Sequence, residues 1–150
     1  MSDYLVDYAH NPASYEALGD FVRKWSGERI GVIGAPGDRR DEDFITLGKL
    51  SAQIFDRIIV KEDDDTRGRP RGEVAELICE GIKSQQSDCR HESILDEVEA
   101  IEVALDRAPA GSLVVILPEK VGRAIGAIEA RHPKSELDLE SKDFNLKSKI

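Results

Sequence analysis

Arg29-Ile30-Gly31-Val32-Ile33-Gly34-Ala35-Pro36-Gly37-Asp38-Arg39-Arg40-Asp41 is the stretch on which the fold turns. Its first half is continuously apolar at the centre, as a strand covered on both faces must be. Its second half is a glycine-containing charged loop. A helix is expected next, over 41–55, with Phe44, Leu47, Leu50, Ile54 and Phe55 turned inward.

The same unit recurs on both sides. Upstream, Tyr4-Leu5-Val6 reads as a strand, and Asn11-Pro12 as the cap and first position of a helix. That helix carries Tyr15, Leu18, Phe21, Val22 and Trp25 at helical spacing and is expected to end at Ser26-Gly27. Downstream, Arg57-Ile58-Ile59-Val60 is a third strand, followed by the most charged loop of the chain, 61–71, and a helix over 72–85. A weak strand over 89–94, a helix over 95–108, a strand over 112–117 and a helix over 120–131 complete the series. Strand–helix alternation of this kind implies an α/β fold: a Rossmann-like three-layer sandwich with a mostly parallel sheet of about five or six strands and helices on both faces. An edge strand running antiparallel is compatible with the pattern. Residues 1–132 are expected to form one domain, and 133–150 a polar tail or extension.

The 150 residues suffice for one hydrophobic core. Forty per cent are hydrophobic and 34% charged, the balance of a globular chain rather than a disordered one. The net charge of −9 argues against general nucleic-acid binding, which depends on neutralising phosphates. No apolar run approaches the roughly 20 residues of a membrane helix, and no secretory leader is visible. Cys79 and Cys89 lack metal-ligand spacing. Cys79 is expected to be buried, and the pair to be reduced in a cytoplasmic setting.

Three charged loops follow three apolar strands: 7–11, 37–41 and 61–71. In a parallel sheet they project from one edge, where ligands bind. His10, Asp38, Arg39, Arg40, Asp63, Asp65, Arg67 and Arg69 are thereby expected around one crevice. Arginines grip phosphate or carboxylate, and acids take hydroxyls, an amine or a guanidinium. Each element also has a plain structural explanation: Asp7 and His10 could bond to backbone, Gly37-Asp38 could be a turn, and the acidic run could be a solvated loop neutralised by Arg67, Arg69 and Arg71. The recurrence after successive strands favours a shared site. No phosphate loop and no Gly-x-Gly-x-x-Gly order are present, and Pro36 removes a backbone donor from the glycine-rich turn. Ser14 and Ser51 lack a histidine partner in sequence, and His10, His91 and His132 lack metal spacing, so neither a catalytic triad nor a metal site is expected.

Asp7-Tyr8-Ala9-His10-Asn11-Pro12, the run 34–43 and the run 59–73 together resemble the C-terminal domain of the Mur ligase superfamily, the ATP-dependent amide ligases. They are most similar to the branch that joins arginine to the side-chain carboxylates of poly-aspartate, and the resemblance covers residues 5–131. It implies that a carboxylate is activated as an acyl phosphate with ATP and Mg²⁺ and attacked by the arginine α-amine. It also implies that both cofactors are shared with a central ATPase domain, which carries the phosphate loop and is missing here. The chain is thus expected to be one lobe of a larger ligase and inactive alone, with no catalytic residue of its own. By the same resemblance Asp7 would bind ribose, and His10 and Asn11 the nucleotide. Asp38 and Arg39 would line the cleft near the phosphates or the substrate. Arg40, Asp63, Asp65, Arg67 and Arg69 would face the incoming substrate. Leu117-Pro118-Glu119-Lys120 stands where the peptidoglycan enzymes carry Gly-Lys-Gly-His-Glu, so roles at that position do not transfer. A stand-alone nucleotide- or amino-acid-binding regulatory module is the alternative.

Overall fold

A computed structural model describes residues 2–9, 11–85 and 88–131. His10, His132 and the expected extension 133–150 lie outside the described residues. Five strands and five helices alternate strictly: β1 (Asp3–Val6), α1 (Pro12–Val22), β2 (Arg29–Ile33), α2 (Asp41–Ile54), β3 (Arg57–Val60), α3 (Glu73–Ser84), β4 (Arg90–Ser93), α4 (Glu97–Arg107), β5 (Leu113–Ile116) and α5 (Val121–Arg131). The strands form one sheet in the order β1-β5-β2-β3-β4. Every pairing is parallel, so neither edge strand is reversed.

The continuous apolar runs follow from this arrangement. Side chains alternate across a strand, and both faces of the sheet are covered. On one face Leu5, Ile33, Ile58, Val60, Leu113 and Val115 pack beneath α1, α2 and α3. On the other, Tyr4, Val6, Ile30, Val32, Ile59, Val114 and Ile116 pack beneath α4 and α5. β4 is the exception. Its Arg-His-Glu-Ser sequence is largely exposed, as suits an edge that must not recruit further strands.

The helices differ in how closely they pack. A Cβ placed on Gly48 would stand 2.0 Å from the carbonyl oxygen of Ile78, and one on Gly81 2.0 Å from that of Ile45. Only glycine lets the backbones of α2 and α3 approach so far. This contact fixes the two helices whose leading loops, 34–40 and 61–72, carry most of the charge.

Two expectations need correction. α1 ends at Val22, not at Ser26-Gly27. The guanidinium of Arg29 donates to the carbonyls of Arg23 (2.9 Å) and Trp25 (3.0 and 3.1 Å), so the chain beyond the helix is held by a side chain. Phe21 consequently stays 36% exposed, while Trp25 packs at the core margin and donates from Nε1 to the Gly111 carbonyl. Cys79 is only partly buried, its sulfur 3.4 Å from Ser93 Oγ. Neither cysteine is joined in a disulfide, and burial, with Asp56 nearby, pushes the Cys89 thiol up to about 11. No helix among the described residues is long and apolar enough to cross a membrane.

Candidate functional site

Because the sheet is parallel, the carboxyl ends of all five strands open on one edge. The loop after β5 lies between those after β1 and β2, since β5 separates the two strands. The expected co-location of charged loops therefore holds at the level of topology. The side chains divide it into three parts.

The first part is a joint between loops 34–40 and 61–71. Gly37 is buried, and a Cβ there would meet the Thr66 carbonyl oxygen at 2.1 Å. Arg69 locks this close approach. Its Nε donates to the Gly37 carbonyl (2.8 Å) and Nη2 to the Arg39 carbonyl (2.7 Å). Nη1 serves Asp41 (2.8 Å) and Glu73 (2.7 Å), the first residues of α2 and α3. The guanidinium lies 4.9 Å from the centroid of the Phe44 ring, a cation–π distance. Arg69 thus ties two loops and two helix starts together. Arg71 acts in the same sense, donating to the carbonyls of Asp63 (2.6 Å) and Leu95 (3.4 Å). Glu62, 2% exposed, accepts from the backbone of Gly72 and Ala75 at 2.9 Å each and so caps α3 from within.

The second part is the exposed tip of the same loop. Arg67 adopts a left-handed conformation (φ 53°). Its backbone N–H and guanidinium both reach Asp65, at 2.9 and 3.2 Å, and Nη1 reaches Asp38 at 3.4 Å. All three side chains are more than half exposed. Arg40 stands further out, paired with Asp43 at 3.1 Å and Glu42 at 3.8 Å at the start of α2.

The third part is a cavity of about 110 Å³ between the starts of α1 and α2. Asn11, Arg39, Asp43 and Thr46 supply its polar lining, and Pro12, Tyr15, Phe44 and Leu47 its apolar lining. Asn11 caps α1 by accepting from the Ser14 N–H at 2.9 Å, and the first turn holds no acid. Among the described residues Arg39's guanidinium has no hydrogen-bond or ion-pair partner, although its charge acts on Asp43. The buried hydroxyls of Tyr15 and Ser51 lack a partner of normal hydrogen-bond geometry. Burial lifts the Tyr15 phenol far above its ordinary value, Ser51 opposing and Asp7 adding to the effect. Asp7 itself follows β1, accepts from the Tyr8 N–H at 2.6 Å and is held at its own N–H by the Ile116 carbonyl.

Asn11 and Arg39 are therefore brought together in one cavity, and Asp38, Asp65 and Arg67 in one surface cluster. Arg69 and Asp63 point into the structure, and Arg40 lies outside both groups. Among the described residues no group of three or more His, Cys, Asp or Glu side chains could hold a metal ion.

Sequence reasoning missed an ionic cluster beneath the acidic run. Lys61, 1% exposed, sits with Nζ 2.9 Å from Glu97 and 3.2 Å from Asp63. Glu97, equally buried, also accepts from the Glu119 N–H (2.6 Å) and from Arg123 (3.0 Å). Burial works against ionisation of Glu97, but the pull of Lys61 and the bonds from Lys61, Glu119 and Arg123 outweigh it. Its carboxyl is held below its ordinary range. Burial dominates at Asp63, raising its carboxyl despite Lys61, while the bond from Arg123 holds Asp64 low. Lys61-Glu62 directly after the buried run Ile58-Ile59-Val60 was the available signal, since two charges there cannot both reach water. Glu97 carried none, because a glutamate in an amphipathic helix reads as surface.

The profile of the family described as Mur ligase, glutamate ligase domain, matches residues 2–120. The cyanophycin synthetase of Nostoc sp. strain PCC 7120 is 71% identical over 128 residues, 85% of this chain and 14% of that protein. That of Crocosphaera subtropica is 62% identical over 135 residues, 89% of this chain and 16% of that protein. The UDP-N-acetylmuramoyl-L-alanyl-D-glutamate–2,6-diaminopimelate ligase of Corynebacterium efficiens is 34% identical over 131 residues and covers 83% of the chain, which spans 25% of it. The chain thus spans about one seventh of the cyanophycin synthetases it matches. Among solved structures, a UDP-N-acetylmuramoyl-L-alanyl-D-glutamate–2,6-diaminopimelate ligase superposes with a TM-score of 0.70 at 23% identity, over 86% of this chain and 29% of that one, a likeness of fold.

Proposed function

The chain belongs to the Mur ligase family as its glutamate ligase domain, and from that premise we propose that residues 1–132 form the C-terminal lobe of an ATP-dependent isopeptide ligase of the cyanophycin synthetase kind. The lobe would help add arginine to aspartate side-chain carboxylates through an acyl phosphate. The 71% identity to the Nostoc cyanophycin synthetase carries this reading.

The site supports a division of labour. Asn11 and Arg39, at the cavity beside the α1 start, and Asp7 after β1 suit the nucleotide side. A cation with no internal partner and a helix start free of acids both favour an anionic ligand. Bound ATP would supply the phosphoryl group that turns the acceptor carboxylate into an acyl phosphate. Arg39 would hold developing negative charge, and its partner domain the rest of the phosphate chain together with Mg²⁺. Among the described residues no cluster of acids offers that ion a site.

The incoming amino acid is assigned to the exposed tip of the 61–71 loop. Asp65 and Asp38 present carboxylates to its guanidinium, and Arg67, their resting partner, is released toward its carboxylate. Arg40, at the outer rim, faces the poly-aspartate chain. Asp63 and Arg69 hold the loop in shape. Two cysteines without a disulfide suit a reducing, cytoplasmic setting.

The test is arginine-dependent ATP turnover on poly-aspartate, measured with the chain alone and with the chain joined to its central ATPase domain. Turnover is expected only in the joined protein. Ligation by the chain alone would overturn the lobe reading. Calorimetric titration of the chain alone with ATP and with arginine separates the alternative, since micromolar binding would mark a free-standing regulatory module.

A further inference from the structure

Apart from Asp63, the ionic cluster under the acidic run has no part in the division of labour above. Its bonds form a closed circuit. Lys61, the residue after β3, joins Glu97 at the start of α4 and Asp63 in the loop. Glu97 takes the Glu119 N–H from the turn after β5 and a bond from Arg123 of α5. Arg123 reaches with Nη1 to Asp64 at 2.6 Å, and the Asp64 N–H donates to Glu119 Oε1 at 2.9 Å. Lys120 adds a longer contact to Asp64, at 3.5 Å. The circuit therefore fastens the root of the 61–71 loop to the turn after β5, on the sheet face opposite Arg69.

Fully buried ion pairs are a poor way to gain stability, because apolar groups of the same volume commonly do as well. Their strength is geometric: a closed set of charged bonds admits one arrangement. Here that arrangement sets the height of the loop whose tip carries Asp65 and Arg67. Leu117-Pro118-Glu119-Lys120, the departure from the peptidoglycan-enzyme motif, supplies one side of the circuit.

We infer that Lys61 and Glu97 are positioning residues for the ligand received by the 61–71 loop, acting through Asp63, Asp64 and the 118–120 turn. The inference rests on the proposed function for the identity of that ligand, and on the geometry alone for the ordering of the loop.

The test uses the double variant Lys61→Met/Glu97→Gln, which removes both charges at similar volume and keeps the fold, with Lys61→Met alone as comparison. In the chain joined to its ATPase domain, the double variant is expected to raise KM for arginine roughly tenfold or more while kcat and KM for ATP change by less than about threefold. In the same protein the Asp64 amide is expected to exchange its hydrogen roughly tenfold faster, while Val114 and Val115 in the core remain protected. A double variant that melts lower but keeps the parent KM for arginine and the parent exchange at Asp64 overturns the inference. If the parent shows no arginine-dependent turnover, the proposed function falls, and exchange at Asp64 alone decides whether the cluster orders the loop.

Discussion

The loop at 61–71 and the cavity between α1 and α2 lie along one edge of the same sheet, yet they are built in opposite ways. In the loop most charges are bonded internally: Asp63 to Lys61, Asp64 to Arg123, Asp65 to Arg67, and Arg69 to two carbonyls and two carboxylates. In the cavity Arg39 has no ion-pair partner among the described residues, and the buried Tyr15 hydroxyl at its wall lacks a partner of normal hydrogen-bond geometry. A dense charge run is thus mostly scaffold, and a sparse pocket holds the polar groups left over for a ligand. Density of charge marks where a chain must hold itself in shape, whereas unmatched polarity marks where something else can bind.

The contrast breaks most visibly on the loop side. Lys61→Met leaves Glu97 ionised and buried without its main counter-charge, and should cost about 3–5 kcal/mol, read as a fall in the denaturant midpoint. A change within about 1 kcal/mol would mean that the circuit is not closed in solution. Arg69→Ala removes four bonds and the contact with Phe44, and a loss of about 2–3 kcal/mol is expected from the stranded backbone carbonyls.

An acid titration sharpens the same point. The Glu97 carboxyl lies below its ordinary value in the folded chain, so its contribution is present above the unfolded pKa and is lost as pH falls through the folded one. Asp63 is displaced upward, so it contributes the other way, and its protonation relieves the fold as pH falls. The part of the stability that Glu97 contributes should therefore decline below about pH 4.3, and Glu97→Gln should remove that part, as followed by thermal melting in a pH series. The smallest effect belongs to the cavity. Tyr15→Phe deletes a hydroxyl that lacks a partner of normal hydrogen-bond geometry, and stability should stay within about 1 kcal/mol of the parent or rise.

Much of the fold was legible because four of its five strands are short, apolar beyond their first residue or throughout, and separated by helices. β3 and the start of α1 could be placed almost to the residue. The end of α1 was not legible, since the apolar period ran on to Trp25, whereas bonds from the Arg29 side chain to the Arg23 and Trp25 carbonyls hold the chain beyond Val22 outside the helix. The address of the candidate site was more legible than its arrangement. The motif runs placed the charged loops on one sheet edge, and only the structure brings Asn11 and Arg39 to one cavity there. Which acids would be sealed inside depended on Glu97 and Arg123, which lie more than 30 residues further along and look in sequence like ordinary surface charges.

The claim that the loop tip receives the incoming amino acid is tested most directly by the pair Asp65→Ala and Arg67→Ala in the chain joined to its ATPase domain. Both side chains are exposed and lie outside the buried circuit, so the fold should survive. KM for arginine is expected to rise by roughly tenfold or more, with KM for ATP unchanged. An unchanged KM for arginine, in protein that melts like the parent, would contradict the account.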